Sequence, residues 1–197
     1  MRKLTLSMTL ALILCLILSI ISNANQVQTL TDKLIRVHIV ANSDSEPDQA
    51  VKLAVRDCIS DAMCELLPPD ITKEAAKEIL TDSLPYIKAL CDGVLQSQGF
   101  SYTSSPALIK STFPTRVYDR FTLPAGEYDS LTVTLGSGEG QNFWCVLYPS
   151  LCIGAVSEVD DCEILTLDEI TIIKQPKKMR YKLFCFELVR RLRDFFK

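Results

Sequence analysis

The residue types best suited to chemistry lie together in one short polar stretch. His38 is the single histidine of the 197-residue chain, and Ser43 and Asp44 follow it, so the stretch contains the three side chains of a hydrolytic triad. However, no nucleophile elbow presents the serine, and nothing in the spacing fixes the geometry that a triad needs. We therefore interpret His38 as a hydrogen-bonded strand residue, and the sequence predicts no catalytic residue.

The same stretch carries three carboxylates that resemble a cation site. Asp44, Glu46 and Asp48 lack the Asp-Gly spacing and the terminal glutamate of a calcium-binding loop. The chain has no Cys-x-x-Cys pair to accompany its lone histidine, which disfavours zinc. The glycine-rich residues 136–140 lack the Lys-Ser or Lys-Thr of a phosphate-binding loop. The sequence therefore predicts no metal and no cofactor.

The elements that position this stretch are a strand, a polar turn and a helix. Residues 34–40 are mostly branched aliphatics, which is typical of a buried strand. Ser45 is placed to cap a helix, Pro47 suits its first turn, and Asp48 completes a capping-box pattern. Apolar positions then follow a helical stripe: Val51, Ala54, Val55, Cys58, Ala62, Met63 and Leu66, with Lys52, Arg56, Ser60 and Asp61 on the other side. A turn this polar lies at the surface, where a partner can bind it.

The remaining pattern predicts an α+β fold. A second helix runs from about Thr72 to a glycine cap at Gly99, kinked at Pro85, with two short helices as the alternative. The period then falls to two, which predicts a meander of strands at about 107–113, 131–135 and 143–148 and a hairpin connection at 136–140. The fold class is thus a strand, two amphipathic helices and an antiparallel strand meander, in a domain at 30–155.

The N-terminus predicts export. A basic tripeptide precedes an apolar run from Leu4 to Ile21, and small residues lead up to Ala24, which is typical of a signal peptide at 1–24 cleaved after Ala24. The alternative is an uncleaved membrane anchor, because a run of this length is just sufficient to span a bilayer. In both cases the chain from Asn25 onward is expected outside the cytoplasm.

An extracytoplasmic location makes disulfides plausible. Cys145 and Cys152 are the best candidate pair, because a Pro-Ser turn brings them together, and a loop this short contributes roughly 2–3 kcal/mol in the chain-entropy model. We expect Cys58 and Cys91 to be packed thiols on helix stripes. The pairing of the other cysteines stays open: Cys64, Cys162 and Cys185. Trp144, beside Cys145, is more typical of a core ring over a disulfide than of an exposed partner anchor.

Charge divides the chain unevenly. Residues 176–197 carry eight lysines and arginines against two acids, while the whole chain has a net charge of −3, so the main body is acidic and is not a nucleic-acid binder. Residues 156–197 are read as an acidic linker and a basic amphipathic helix. That helix suits contact with an anionic membrane surface, and the alternatives are a helix docked on the acidic domain or a frayed tail.

Three motifs carry a resemblance to a known family. They are LIRVHIVANSDSEPDQAVKLAVRD from Leu34, LPAGEY from Leu123, and NFWCVLYPSLC from Asn142. In this order and at these distances the chain resembles stage II sporulation protein R of endospore-forming bacteria, over about residues 30–155. Pro85 and the additional cysteines do not belong to the pattern.

The resemblance implies a signalling protein and not an enzyme. Such proteins are made in the forespore and exported into the space between forespore and mother cell. There they trigger a membrane-embedded aspartic protease of the mother-cell membrane, which processes the precursor of an early mother-cell sigma factor.

From these expectations we predict the contact surface and keep two rivals open. The surface comprises Asn42, Ser43, Asp44 and Glu46, with Trp144 and the disulfide loop nearby. One rival is an extracytoplasmic hydrolase that uses the carboxylates of residues 42–48, and the other is a membrane-tethered envelope protein. No small-molecule substrate is expected.

Overall fold

The computed structural model of the protein describes Leu14 and residues 28–68, 71–118 and 122–148. Apart from Leu14, the predicted signal peptide with its cleavage site lies outside the described residues, as do the segment 156–197 and Cys152. Within the described part, no helix combines the length and the apolar character that crossing a bilayer requires.

The α+β fold class is confirmed. After a helical stretch at 28–33, the elements follow in this order: β1 (Ile35–Val40), α1 (Glu46–Leu66), α2 (Lys73–Asp82), α3 (Leu84–Ser97), β2 (Ser104–Phe113), β3 (Arg116–Val117), β4 (Thr122–Leu123), β5 (Gly126–Leu135) and β6 (Asn142–Tyr148).

The helical region around Pro85 forms two helices, so the kinked single helix is wrong and its alternative is confirmed. Ser83 ends α2 and begins α3. Pro85 lies in the first turn of α3, where its missing N–H is harmless, whereas its ring would clash inside a continuous helix. Gly99 follows α3 with φ of +83°, which confirms the predicted glycine cap.

The predicted hairpin between residues 131–135 and 143–148 is wrong. The four-stranded sheet has the order β2-β5-β1-β6, so β1 separates β5 from β6. β1 runs parallel to β5 and antiparallel to β6, and Val37 has Leu131 on one side and Cys145 on the other. This central position fits the burial of β1: Ile35, Val37 and Ile39 are buried on one face and Arg36 on the other, while only His38 and Val40 are half-buried. Local periodicity carries no information about which distant strand inserts.

The core lies between the helices and one face of this sheet. Alternate residues of β1 and β5 meet the apolar stripes of α1 and α3 in one buried cluster. Its central members are Ile35, Val37, Ile39, Leu131, Val133, Val51, Val55, Ile59, Ile87, Cys91 and Leu95. The predicted stripe of α1 is therefore confirmed at Val51, Val55, Ala62 and Met63.

The chain divides into two compact units. Among the described residues from 28 onward, the larger comprises 33–68, 71–111 and 127–148, and the smaller comprises 28–32, 112–118 and 122–126. In the smaller unit β3 and β4 form an antiparallel pair in which Arg116 faces Leu123. All the predicted site residues that the structure describes belong to the larger unit.

Candidate partner-binding surface

The turn at 42–46 begins α1 as the sequence predicts, with one change of partner. Ser45 caps the helix, because its side chain accepts a hydrogen bond from the Asp48 N–H at 3.3 Å. The reciprocal half of a capping box is replaced, since the Ser45 N–H donates to Ser43 Oγ at 3.1 Å. Because the Ser45 N–H donates to Ser43 and not to Asp48, the Asp48 carboxylate is available to other hydrogen-bond donors.

The Asp48 carboxylate is the centre of a buried hydrogen-bond network. It is 5% exposed and accepts from Ser43 Oγ at 2.6 Å and from Asn42 Nδ2 at 3.0 Å on one oxygen. The Tyr102 hydroxyl donates to its other oxygen at 2.5 Å. Burial raises the pKa of Asp48, but the hydrogen bonds from neighbouring side chains outweigh burial and hold the pKa at about 2. Asp48 is therefore ionised and fixes the turn to its surroundings.

Tyr102 is a member of this network that sequence reasoning missed. Burial, the hydrogen bond to Asp48 and the charge of Asp48 all raise the pKa of Tyr102. The two residues are 54 positions apart, and Tyr102 follows α3 in a segment without helical or strand pattern. A buried aspartate needs a donor, but nothing local indicates which tyrosine supplies it.

Asn42 clamps the turn to the connection between β5 and β6. Its Oδ1 accepts from the Ser137 N–H at 2.9 Å, and its carbonyl accepts from Ser137 Oγ at 2.9 Å and from the Glu139 N–H at 3.1 Å. The Gly140 N–H donates to the Ala41 carbonyl at 2.9 Å. Residues 136–140, which the sequence predicts as a hairpin connection, therefore form a strap across the end of β1.

The glycines of this strap are required by close approach. Gly136 has φ of +56°, and a Cβ there would overlap the Asn42 amide. A Cβ on Gly140 would overlap the backbone carbonyl of Ser43, which cannot move aside without disturbing the turn. The glycine-rich pattern thus serves contact with the turn and not phosphate binding.

Asp44 and the buried Lys52 hold Gln141, the residue that follows the strap. Together with the bonds of Asn42 to the strap, these contacts form the clamp at the end of β1. Asp44 Oδ1 accepts from the Gln141 N–H at 2.8 Å, while Lys52 Nζ donates to the Gln141 carbonyl at 2.9 Å and to Gln49 Oε1 at 2.5 Å. Lys52 is only 6% exposed, so its predicted place on the polar side of α1 is wrong. Its aliphatic stem packs while its ammonium reaches the strap. Burial lowers the pKa of Lys52 and the nearby Asp44 carboxylate opposes this effect.

These contacts divide the predicted surface residues into two groups. Asn42 and Ser43 are half-buried and direct their side chains into the clamp. Asp44 and Glu46 are exposed, and Glu46 is the first residue of α1, where a negative charge is favoured by the helix dipole. Glu46 therefore presents its carboxylate outward from a rigid frame.

Trp144 lies on the face of the sheet opposite the helices. It stands beside His38 in the register of β1 and β6, and the two rings stack with centroids 5.5 Å apart and an interplanar angle of 16°. His38 Nε2 is 2.7 Å from Asn142 Oδ1, which confirms His38 as a hydrogen-bonded strand residue. Burial lowers the pKa of His38, with the Asn142 hydrogen bond opposing and the charge of Arg36 adding to it.

The side chains of the hypothetical triad are not brought together. His38 bonds to Asn142, and Ser43 donates to Asp48. Within the described residues, no group of three or more potential ligands could hold a metal ion.

Among the described cysteines, Cys58, Cys64 and Cys91 are free thiols. Burial raises the pKa of the Cys91 thiol to about 12, and its position in the core confirms it as a packed thiol. The predicted pairing of Cys145 with Cys152 stays a prediction, because Cys152 lies outside the described residues.

Comparison with protein families gives a match to stage II sporulation protein R over residues 31–158, more than half of the chain. The chain belongs to the stage II sporulation protein R family. Stage II sporulation protein R of Bacillus subtilis (strain 168) is 37% identical over 145 residues, which are 71% of this chain and 65% of that relative. The chain thus matches slightly less than two thirds of the relative's length.

Membership of the stage II sporulation protein R family supports a role in sporulation. The name of the B. subtilis relative refers to no enzymatic activity. The family match includes the turn, the strap and Trp144. Comparison with solved structures gives no match.

Proposed function

We propose that this protein is an exported sporulation signal that activates a membrane-embedded aspartic protease by direct contact. The protease then processes the precursor of an early mother-cell sigma factor. The observation that carries the proposal is family membership, established over residues 31–158. The predicted signal peptide, with cleavage after Ala24, supports export into the space between forespore and mother cell, and the uncleaved N-terminus would instead give a membrane tether.

The clamped turn suits a protein that acts by contact. A signal can activate a receptor only by binding one receptor conformation more tightly than another. Such discrimination is favoured by a surface that is rigid before binding, because little side-chain entropy is then lost in the complex. The bonds of Asn42 and Asp48 fix the turn, and Glu46 stands exposed at its tip.

Trp144 is the second element of the proposed contact surface. Tryptophan is enriched among residues that dominate binding energies at interfaces, and the His38 ring holds this one in a defined orientation. Both elements lie next to β1. Trp144 is in register with His38 of β1, and the turn begins after Val40, the last residue of β1. The receptor is expected to contact the end of β1 and the sheet face beside it.

The test is sigma-factor precursor processing in a sporulating strain that lacks the protein and is complemented with variants. Glu46→Lys and Trp144→Ala are each expected to reduce processing by about tenfold, which corresponds to ~1.4 kcal/mol of lost binding. Glu78→Lys is the matched control, because Glu78 is an exposed glutamate on α2, and it should process normally.

Protein level and thermal stability of each variant separate contact from folding. Normal processing by both stable variants would remove this surface from the proposal. Normal processing in the strain without any copy of the gene would overturn the function itself.

A further inference from the structure

A groove lies between α1 and β6, on the side of the sheet opposite Trp144. Its volume is about 390 Å³, within the range of peptide side-chain and small-ligand sites. Its floor is apolar and its rim is charged. The lining residues that the argument uses are Ile59, Phe143, Leu147, Arg56, Asp57 and Asp61.

The floor is part of the core and therefore preformed. Ile59 and Leu147 are buried members of the core cluster, and Phe143 packs against it while remaining half-buried. Leu53, one helical turn before Asp57 on the same helix, is a 42% exposed apolar side chain outside the lining of the groove. Exposed apolar surface of this kind beside an apolar groove is a feature of protein-binding sites.

One wall of the groove is closed by an ion pair. Arg56 Nη2 lies 2.6 Å from Asp57 Oδ1, and the guanidinium stands 5.5 Å from the centroid of the Phe143 ring. Arg56 therefore compensates the charge of Asp57 and shapes the wall. The next charged residue of the rim along α1 is Asp61.

Asp61 is the remaining charged residue of the lining, and Glu65 lies one helical turn beyond the lining on the same helix. Neither has a cationic partner within the described part of the chain. Asp57, Asp61 and Glu65 follow one another at intervals of four residues, so they form one stripe on α1. The residues three and four positions from Asp61 are aspartate, glutamate and two cysteines, and none supplies a cation.

The position of the acidic stripe on α1 also lowers the stability of the helix. Asp61 and Glu65 lie in the last turns of α1, where the helix dipole disfavours negative charge. Like charges four residues apart also repel. The stripe therefore reduces the stability of the isolated helix, and a cationic partner would relieve this repulsion.

From the groove and its rim we infer that the protein docks a basic amphipathic polypeptide segment of a partner at this site. A bulky apolar side chain of the segment occupies the groove between Ile59 and Phe143. Lysines or arginines beside it pair with Asp61 and Glu65, which lie about 6 Å apart along the helix axis. The apolar contact supplies affinity, and the charges fix the orientation.

This site is separate from the proposed receptor-contact surface. The groove lies on the helix side of β6, whereas Trp144 lies on the other face with His38. The inference therefore does not depend on the protease proposed above, and a direct binding measurement tests it independently of sigma-factor processing.

The experiment titrates the full chain into a fluorescein-labelled octapeptide with a central Leu-Phe flanked by lysines, followed by fluorescence anisotropy. Saturable binding is expected. Replacing the Leu-Phe of the peptide by Gly-Gly, or reversing both Asp61→Lys and Glu65→Lys, should weaken binding by at least about tenfold. Ser60→Phe, which fills the groove without changing its charge, should have a similar effect.

Glu78→Lys is again the matched control, because it changes the same charge outside the lining of the groove and should bind as the parent does. Circular dichroism establishes that each variant is folded. In a nuclear magnetic resonance titration, shifts should appear at Phe143, Ser60 and Asp61.

Three outcomes would overturn the inference. The first is the absence of saturable binding, and the second is equal binding of the Gly-Gly peptide, which would mean attraction by charge alone. The third is concentration-dependent self-association of the full chain that Ser60→Phe abolishes, because the groove would then hold a second copy of the protein.

Discussion

The clamp at the end of β1 and the groove beside β6 are organised in opposite ways. In the clamp, polar side chains point inward, and Asn42, Asp48 and Lys52 each have protein partners. In the groove the apolar residues form the interior, Asp61 stands exposed on the rim, and Glu65 stands exposed one helical turn further along α1. Both regions belong to the larger unit and share α1 between them.

The difference teaches how to separate structural from recognition residues in this protein. A buried polar group must be satisfied within the fold, so changing it reduces stability first. An exposed charge with no partner contributes little to stability, so changing it affects binding first. Polar side chains that are bonded within the clamp, such as Asn42 and Asp48, are accordingly poorer candidates for contact with a partner than the exposed Glu46.

The largest effect on the clamp is expected from Gly140→Ala. The new Cβ would overlap the Ser43 carbonyl and would stand 2.9 Å from the Ala41 Cβ, so the strap or the turn must shift. We expect the free energy of unfolding, measured by urea denaturation, to fall by roughly 3 kcal/mol.

Gly93→Ala is the matched control, because a Cβ at this position in α3 meets nothing within 4 Å. It should raise stability by about 0.5–1 kcal/mol, since alanine is a better helix former than glycine. Equal effects of the two variants would contradict the description of the strap as a close-packed clamp.

The second effect is a pH dependence that comes from Asp48. Its folded-state pKa of about 2 lies below the ordinary value of 3.8. The ionised carboxylate therefore stabilises the fold fully above about pH 4, and this contribution is lost as the pH falls through about 2. The amount is on the order of 2 kcal/mol.

Asp48→Asn should remove this contribution and leave the donors of Tyr102 and Ser43 poorly matched. The stability difference between parent and variant, followed by urea denaturation, should be largest near neutral pH and should shrink between about pH 4 and pH 2. A difference that stays constant over this range would show that the charge of Asp48 is not what holds the clamp.

The smallest effect is expected on the rim of the groove. Asp61→Lys removes repulsion from Asp57 and Glu65 and places a cation near the C-terminal end of α1. It should raise the free energy of unfolding by about 0.5 kcal/mol at low salt, and added salt should reduce this gain. A loss of stability would mean that Asp61 already has a partner within the fold, and the comparison of clamp and groove would fail.

Much of the local structure could be predicted from the sequence. The strand, turn and helix from Leu34 to Leu66 follow from a change of apolar period and from the Ser45 cap, which depend on neighbours in the chain. The sequence also indicated the helix break at Pro85, as the alternative to a kinked helix, and it indicated the helix cap at Gly99 from the glycine itself. The strap does not follow from the sequence, because a glycine-rich connection between two apolar strands is the ordinary pattern of a hairpin.

The polar turn itself could be located from the sequence, and its role as a contact surface stays a prediction. The inward direction of Asn42 and the burial of Lys52 depend on the strap, and Tyr102 reaches Asp48 from another part of the chain. Side-chain partners of this kind leave no periodic signal.

The sequence by itself determined the family, the α+β class and the unit made of β1, the turn and α1. Those properties depend on residue types and short-range spacing. Only the tertiary structure decided that β1 lies between β5 and β6, that His38 meets Asn142 across 104 positions, and that α1 and β6 enclose a groove. The physical reason is that strand pairing and burial are decided by competition among distant segments for the same interior.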